Sequence, residues 1–151
     1  MMPEVHSKIV SLPLIFVIIV FIFTSCSPGY NRRQGGNTFS GSGEDIVRTA
    51  RQFLGVPYKN GGETPSGFDC SGYVMYVYGL HGIRLPRAAD AQYDYGRPVS
   101  IGNACPGDLL FFRTKGFGIS HVAIYTGEGR FIHAPSSGKK ISYASLDNSY
   151  W

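Results

Sequence analysis

Apolar residues fall in two textures along this chain, at helical spacing through the middle and in short dense runs toward the end. Ile46, Ala50, Phe53 and Leu54 recur at the interval of one helix face, Ser42 and Asp45 form a capping pair ahead of them, and Gly55 and Pro57 stop the run. This predicts a first helix over Glu44 to Leu54. A second helix begins after Asp69, which can cap it; Val74, Val77 and Tyr78 share a face, and Gly79 and Gly82 end it. Cys70 falls in its first turn. Ala88 to Tyr95 predicts a short third helix. After Pro106-Gly107 the pattern turns to strands at Leu109 to Arg113, Ser120 to Thr126, Arg130 to Ala134 and, more weakly, Lys140 to Tyr143. Gly127-Glu128-Gly129 joins the second and third runs as a hairpin. Helices followed by an antiparallel meander predict an α+β domain, with N-terminal helices packed on a C-terminal sheet.

The first residues do not belong to that core. Lys8 precedes Ile9 to Phe23, apolar apart from Ser11 and Pro13, a run of about fifteen residues that is short of the roughly 20 a spanning helix needs. It closes on Phe23-Thr24-Ser25-Cys26, which resembles a bacterial lipoprotein signal, with Phe23 where Leu is usual. The expectation is a signal peptide over 1–26, with Cys26 lipidated as the mature N-terminus. Ser27 after it implies sorting to the outer membrane, facing the periplasm. Residues 27–43, with five glycines, Pro28, Arg32 and Arg33, predict a flexible tether. One catalytic-sized domain, 44–151, remains.

Charge changes this picture little. The formal net charge is +4, and the leader removes one charge of each sign, Glu4 and Lys8. No Lys/Arg cluster alternates with aromatics as a nucleic-acid face would, so for an exported chain an anionic cell-wall polymer is the expected partner. Cysteine is scarce. With Cys26 assigned to the signal, only Cys70 and Cys105 remain, too few for a disulfide framework; the two could pair, but Cys105 in Ala104-Cys105-Pro106-Gly107 reads as a small buried or turn residue.

Cys70 carries the candidate chemistry. A helix N-terminus beside an imidazole stabilises a thiolate, and the thiolate is the nucleophile. His121 opens one strand and His133 lies near the end of its hairpin partner. A turn centred near Glu128 places His133 opposite Val122, within one residue of His121, although a one-residue slip would exchange their faces. These features alone fit a Cys/His hydrolase, and they equally fit a structural cysteine with ordinary strand histidines. Cys70, His121 and His133 could also ligate zinc, but no Cys-x-x-Cys or His-Glu-x-x-His spacing occurs.

Six segments, in order, resemble the NlpC/P60 family of cell-wall peptidases: Gly55-Val56-Pro57-Tyr58-Lys59-Asn60-Gly61-Gly62, Phe68-Asp69-Cys70-Ser71-Gly72, Leu85-Pro86-Arg87, Pro106-Gly107-Asp108-Leu109-Leu110-Phe111-Phe112, Ser120-His121-Val122-Ala123-Ile124-Tyr125 and Phe131-Ile132-His133-Ala134. The resemblance implies a papain-like α+β fold and cleavage of amide bonds in peptidoglycan stem peptides, without a cofactor or metal. It implies Cys70 as nucleophile, His121 as base and His133 as the polar third member. Tyr58 would donate to the oxyanion together with the Cys70 N–H. Asp69 and Ser71 would line the substrate groove, with Asp69 able to bind a peptide amine while capping the helix; Arg87 could meet a stem-peptide carboxylate or be a plain surface arginine. Asp108 would hold its turn. A non-catalytic wall-binding lipoprotein and a thiol acyltransferase are the alternatives. Family members commonly continue past the position of Tyr150-Trp151, so the expectation is either a truncated product lacking its last strand, with an exposed sheet edge or lowered stability, or an end that is packed differently.

Overall fold

The computed structural model describes residues 42–114 and 116–151; the leader, Cys26 and most of the tether lie outside the described residues. Helix α1 spans Gly43–Arg51, and the Asp45 carboxylate accepts the backbone N–H of Ser42 at 2.7 Å, the reciprocal half of a capping box. The regular helix stops three residues before the expected Leu54. Turns continue to Leu54, and Gly55, at φ 86°, gives its N–H to the Ile141 carbonyl at 2.9 Å. That bond ties the exit of α1 to the far end of the domain.

A two-strand ribbon follows, β1 (Glu63–Thr64) and β2 (Gly67–Phe68), which the apolar pattern did not announce because each strand is two residues long. Helix α2 (Cys70–Leu80) comes next and contains no charged residue. It runs through the middle of the domain, with Tyr73, Val74 and Val77 fully buried, so a one-sided stripe was too narrow a reading of it. Helix α3 spans Ala89–Tyr95, and a 3-10 turn covers Ile101–Asn103.

The main sheet is an antiparallel meander, β3 (Leu109–Phe112), β4 (His121–Gly127), β5 (Arg130–His133) and β6 (Ser142–Ser145), in that spatial order. The fourth strand lies two residues beyond the expected Lys140 to Tyr143. Between β4 and β5, Ile124 faces Ile132, one residue away from the expected register. The cause is local: Thr126 falls in a bulge between the paired Tyr125 and Gly127, and Glu128 and Gly129 then make a two-residue turn with φ 53° and 68°. Continuing this register puts His133 across from Ala123, so His121 and His133 belong to one face of the sheet.

Each face has its own core. Toward the helices, Val122, Ile124 and Ile132 pack with Ile46, Val47, Ala50, Phe68, Tyr73, Val74 and Val77. On the other face, Phe112, Ala123 and Phe131 pack with Leu110, Ala144, Leu146 and Trp151. After β6, Leu146 and Trp151 pack on this second face.

The ribbon is seated on the first turn of α2 through glycine. A Cβ built on Gly72 would lie 2.1 Å from the Gly62 carbonyl oxygen, a distance no packing adjustment short of backbone movement can accept. Gly72→Ala is expected to destabilise the domain by at least about 2 kcal/mol in urea unfolding; an unchanged midpoint would mean that the ribbon does not rest there.

Candidate active site

Cys70 stands at the first residue of α2 because Asp69 ends the preceding extended chain and caps the helix, its Oδ1 accepting the Gly72 N–H at 2.8 Å. The same carboxylate accepts the Gly61 N–H at 3.0 Å through Oδ2. Arg87 grips it fork-on, Nη1 to Oδ1 at 3.0 Å and Nη2 to Oδ2 at 2.6 Å, while Nη1 also reaches Ser71 Oγ at 2.9 Å and Nε reaches Glu63 at 2.8 Å. The carboxylate expected to serve as cap thus does so, and Arg87, read as a carboxylate partner or a plain surface arginine, is turned onto Asp69 and Glu63. These ion pairs raise the Arg87 pKa still further, the Asp69 hydrogen bond contributing most.

Two members of this arrangement were not picked out from the sequence. Glu63 lies on the unannounced ribbon. Gln92 is an interior glutamine of α3, fully buried, that donates to the Ser71 carbonyl at 3.0 Å and to the Pro86 carbonyl at 2.8 Å. It ties the first turn of α2 to the segment that delivers Arg87. Only its position shortly after Leu85-Pro86-Arg87 could have drawn notice.

On the sheet side, His121 Nε2 lies 2.9 Å from His133 Nδ1, with the ring planes at 85° and both residues buried. If His121 donates from Nε2, its Nδ1 lone pair is left for a thiol proton and His133 accepts with Nδ1. Cys70, His121, His133 and Tyr58 line one groove of about 730 Å³, together with Ser136, Lys139 and Trp151 among others. The Cys70 sulfur is near the backbone N–H groups of Val122, Ser71 and its own residue. Among the described residues no hydrogen bond yet joins this sulfur to His121; such contacts commonly tighten only when substrate is present. Tyr58 is set at the groove wall by its N–H bond to Lys139 O at 2.8 Å.

Electrostatics corrects one expectation. Burial pushes the Cys70 thiol up, and the nearby N–H groups oppose this without overcoming it. Burial also pushes His121 down to about 4 and His133 down to about 3, the latter helped by the charges of His121 and Lys139. Burial thus favours the neutral thiol and the neutral imidazole, outweighing what the helix end and the amides offer the anion. Burial likewise raises the Tyr58 hydroxyl, with the Cys70 and Asp69 charges adding to it, so the phenol stays a donor.

Zinc is a poor match here. Nε2 of His121 is engaged by His133, and among the described residues no three His, Cys, Asp or Glu side chains converge as a metal-binding group. Cys70 is the free cysteine among the described residues, so it is not paired with Cys105. Asp108 does hold its turn, accepting the Cys105 N–H at 2.7 Å.

Comparison with known proteins agrees with the geometry. Residues 55–151 match the NlpC/P60 family. The chain is 48% identical over 109 residues to the gamma-DL-glutamyl hydrolase of Bacillus subtilis (strain 168), covering 70% of this chain and 26% of that protein. It is 45% identical over 105 residues to murein DD-endopeptidase MepH of Escherichia coli (strain K12), covering 66% of this chain and 39% of the relative. The chain thus spans well under half the length of these curated relatives. The crystal structure of the NlpC/p60 domain of peptidoglycan hydrolase SagA superposes with a TM-score of 0.67 at 40% identity, covering 73% of this chain and 94% of that domain.

The neutral histidines carry a stability signature. Unfolded, each imidazole binds a proton near 6.5; folded, it resists until about 4 or about 3. Their contribution is complete above 6.5 and is lost as pH falls toward 4. Thermal melting is expected to show Tm dropping across that window, with a shallower slope in His121→Gln/His133→Gln. Equal slopes would mean that the pair is not buried in its neutral form.

Proposed function

This chain belongs to the NlpC/P60 family, and we propose that it is an exported cysteine peptidase that hydrolyses amide bonds in peptidoglycan stem peptides or their cross-links. The observation that carries the reading is the His121–His133 hydrogen bond inside a groove that also holds Cys70 and Tyr58. The relatives named as a murein endopeptidase and a glutamyl hydrolase support the substrate class.

Because the resting pair is neutral, the proton moves as the bond forms. Cys70 Sγ attacks the amide carbonyl carbon while its proton passes to His121 Nδ1. The imidazolium so created keeps its Nε2–H on His133 Nδ1, which fixes the ring and spreads the charge. The carbonyl oxygen becomes an oxyanion, received by the Tyr58 hydroxyl and the Cys70 N–H at the helix end. On collapse the C–N bond breaks and His121 returns its proton to the departing amine. Water, deprotonated by His121, then cleaves the thioester, releasing a carboxylic acid and restoring the thiol.

Asp69, Ser71 and Arg87 form a polar cluster at the first turn of α2, outside the lining of the groove that holds Cys70. A peptide amine would have to displace partners to reach the Asp69 carboxylate, which already holds Arg87 and the N–H groups of Gly61 and Gly72, and a stem-peptide carboxylate would have to displace Asp69 and Glu63 to reach Arg87. The leader and Cys26-Ser27 support export with a lipid on Cys26 and residence at the outer membrane, facing the periplasm. Radiolabelled palmitate is expected to enter the wild type and not Cys26→Ala.

Digestion of purified muropeptides, with products assigned by mass, tests the hydrolase and locates the scissile bond. Cys70→Ala and His121→Ala are expected to yield no product, His133→Ala to retain residual turnover, and Tyr58→Phe to lose about 100- to 1,000-fold in kcat. Undiminished muropeptide binding without cleavage by wild type would instead favour the non-catalytic wall-binding alternative.

A further inference from the structure

Trp151 occupies a place that the reaction above does not use. Its indole stacks on His121, centroids 5.4 Å apart and planes at 28°, and meets His133 edge to face at 5.0 Å and 81°. It therefore spans both rings of the 2.9 Å imidazole bond. Phe112 at 4.8 Å and Phe131 at 5.2 Å hold the indole from the sheet, and its backbone N–H donates to Asn148 O at 3.0 Å. The ring also forms part of the groove wall.

We propose that Trp151 is a positioning residue for the histidine pair, shielding the His121–His133 hydrogen bond from water and presenting a π face to the imidazolium that forms on His121 during turnover. The inference rests on the hydrolase reading for its kinetic part only. Two neutral imidazoles make a modest hydrogen bond that water would readily replace, and an apolar cover removes that competitor. A cation over an indole face is attracted by the ring quadrupole, and the attraction exists only once the proton has left the thiol. The indole thus favours the charged intermediate over the resting state, an effect expected in kcat and not in KM. The other titratable groups that face the pair are Cys70 and Tyr58 across the groove and Lys139, whose charge opposes protonation of His133.

Trp151 is the only tryptophan in the chain, so emission excited selectively from tryptophan, beyond the absorption of the ten tyrosines, reports on this site alone. Emission of the full chain is expected to fall as the imidazoles protonate at acid pH, with circular dichroism recorded alongside, and this step is expected to vanish in His121→Gln/His133→Gln. A step that persists unchanged in the double variant, or emission that stays constant throughout, would overturn the ring contact. Kinetics on muropeptides supply the second arm: Trp151→Ala is expected to lower kcat by about 10- to 100-fold with KM nearly constant, and Trp151→Phe to recover most of the loss. Wild-type kcat in Trp151→Ala, or a loss confined to KM, would overturn the positioning role. Inactivity of the wild type itself would instead fault the hydrolase reading, while the emission titration still decides the ring contact.

Discussion

Asp69 is the point from which the rest of the site is measured. One carboxylate accepts the N–H of Gly72 in its own helix, accepts the N–H of Gly61 from the ribbon, and receives the fork of Arg87. Those bonds fix where α2 begins, and the beginning of α2 is where Cys70 must be. The absence of a side chain on Gly62 and Gly72 lets the ribbon settle against this turn, and Gln92 secures it from behind through the Ser71 carbonyl. Nucleophile placement is thus a matter of backbone hydrogen bonds and an ion pair, all of them made before any substrate arrives.

The histidine pair is placed by different means. It sits on the sheet face turned away from α1 and α2, among Phe112, Phe131 and Trp151, and burial there keeps both imidazoles neutral. The two halves of the site therefore arise from two cores, one between helices and sheet and one beneath the returning C-terminal segment, and they meet at the groove. A neutral resting pair suits such a place. In the proposed reaction, charge separation is deferred until a carbonyl is present to receive electrons.

Local chemistry made much of this legible. Helix α2, its Asp69 cap, Cys70 in the first turn and the Gly127-Glu128-Gly129 hairpin all follow from short-range preferences, and the six ordered motifs led to the same family that the comparisons show. The register of that hairpin was harder. An extra residue bulges at Thr126, and one residue decides which faces the histidines take. Arg87 shows the same limit: a guanidinium with suitable chemistry for a ligand proved to have its carboxylate within the protein, 18 residues earlier in the chain.

The order of residues by itself settled the chemistry available: a thiol at a helix start, two imidazoles on one hairpin, a tyrosine and an acid near them. Caps, turns and strand runs are governed by neighbours a few positions apart, and those are written in the chain. Tertiary structure alone decided that the imidazoles share a face, that burial leaves them and the thiol uncharged, and that an indole 30 positions beyond His121 covers them. Distance, dehydration and ring stacking depend on groups brought together from remote parts of the sequence, and only the packed fold sets which groups those are.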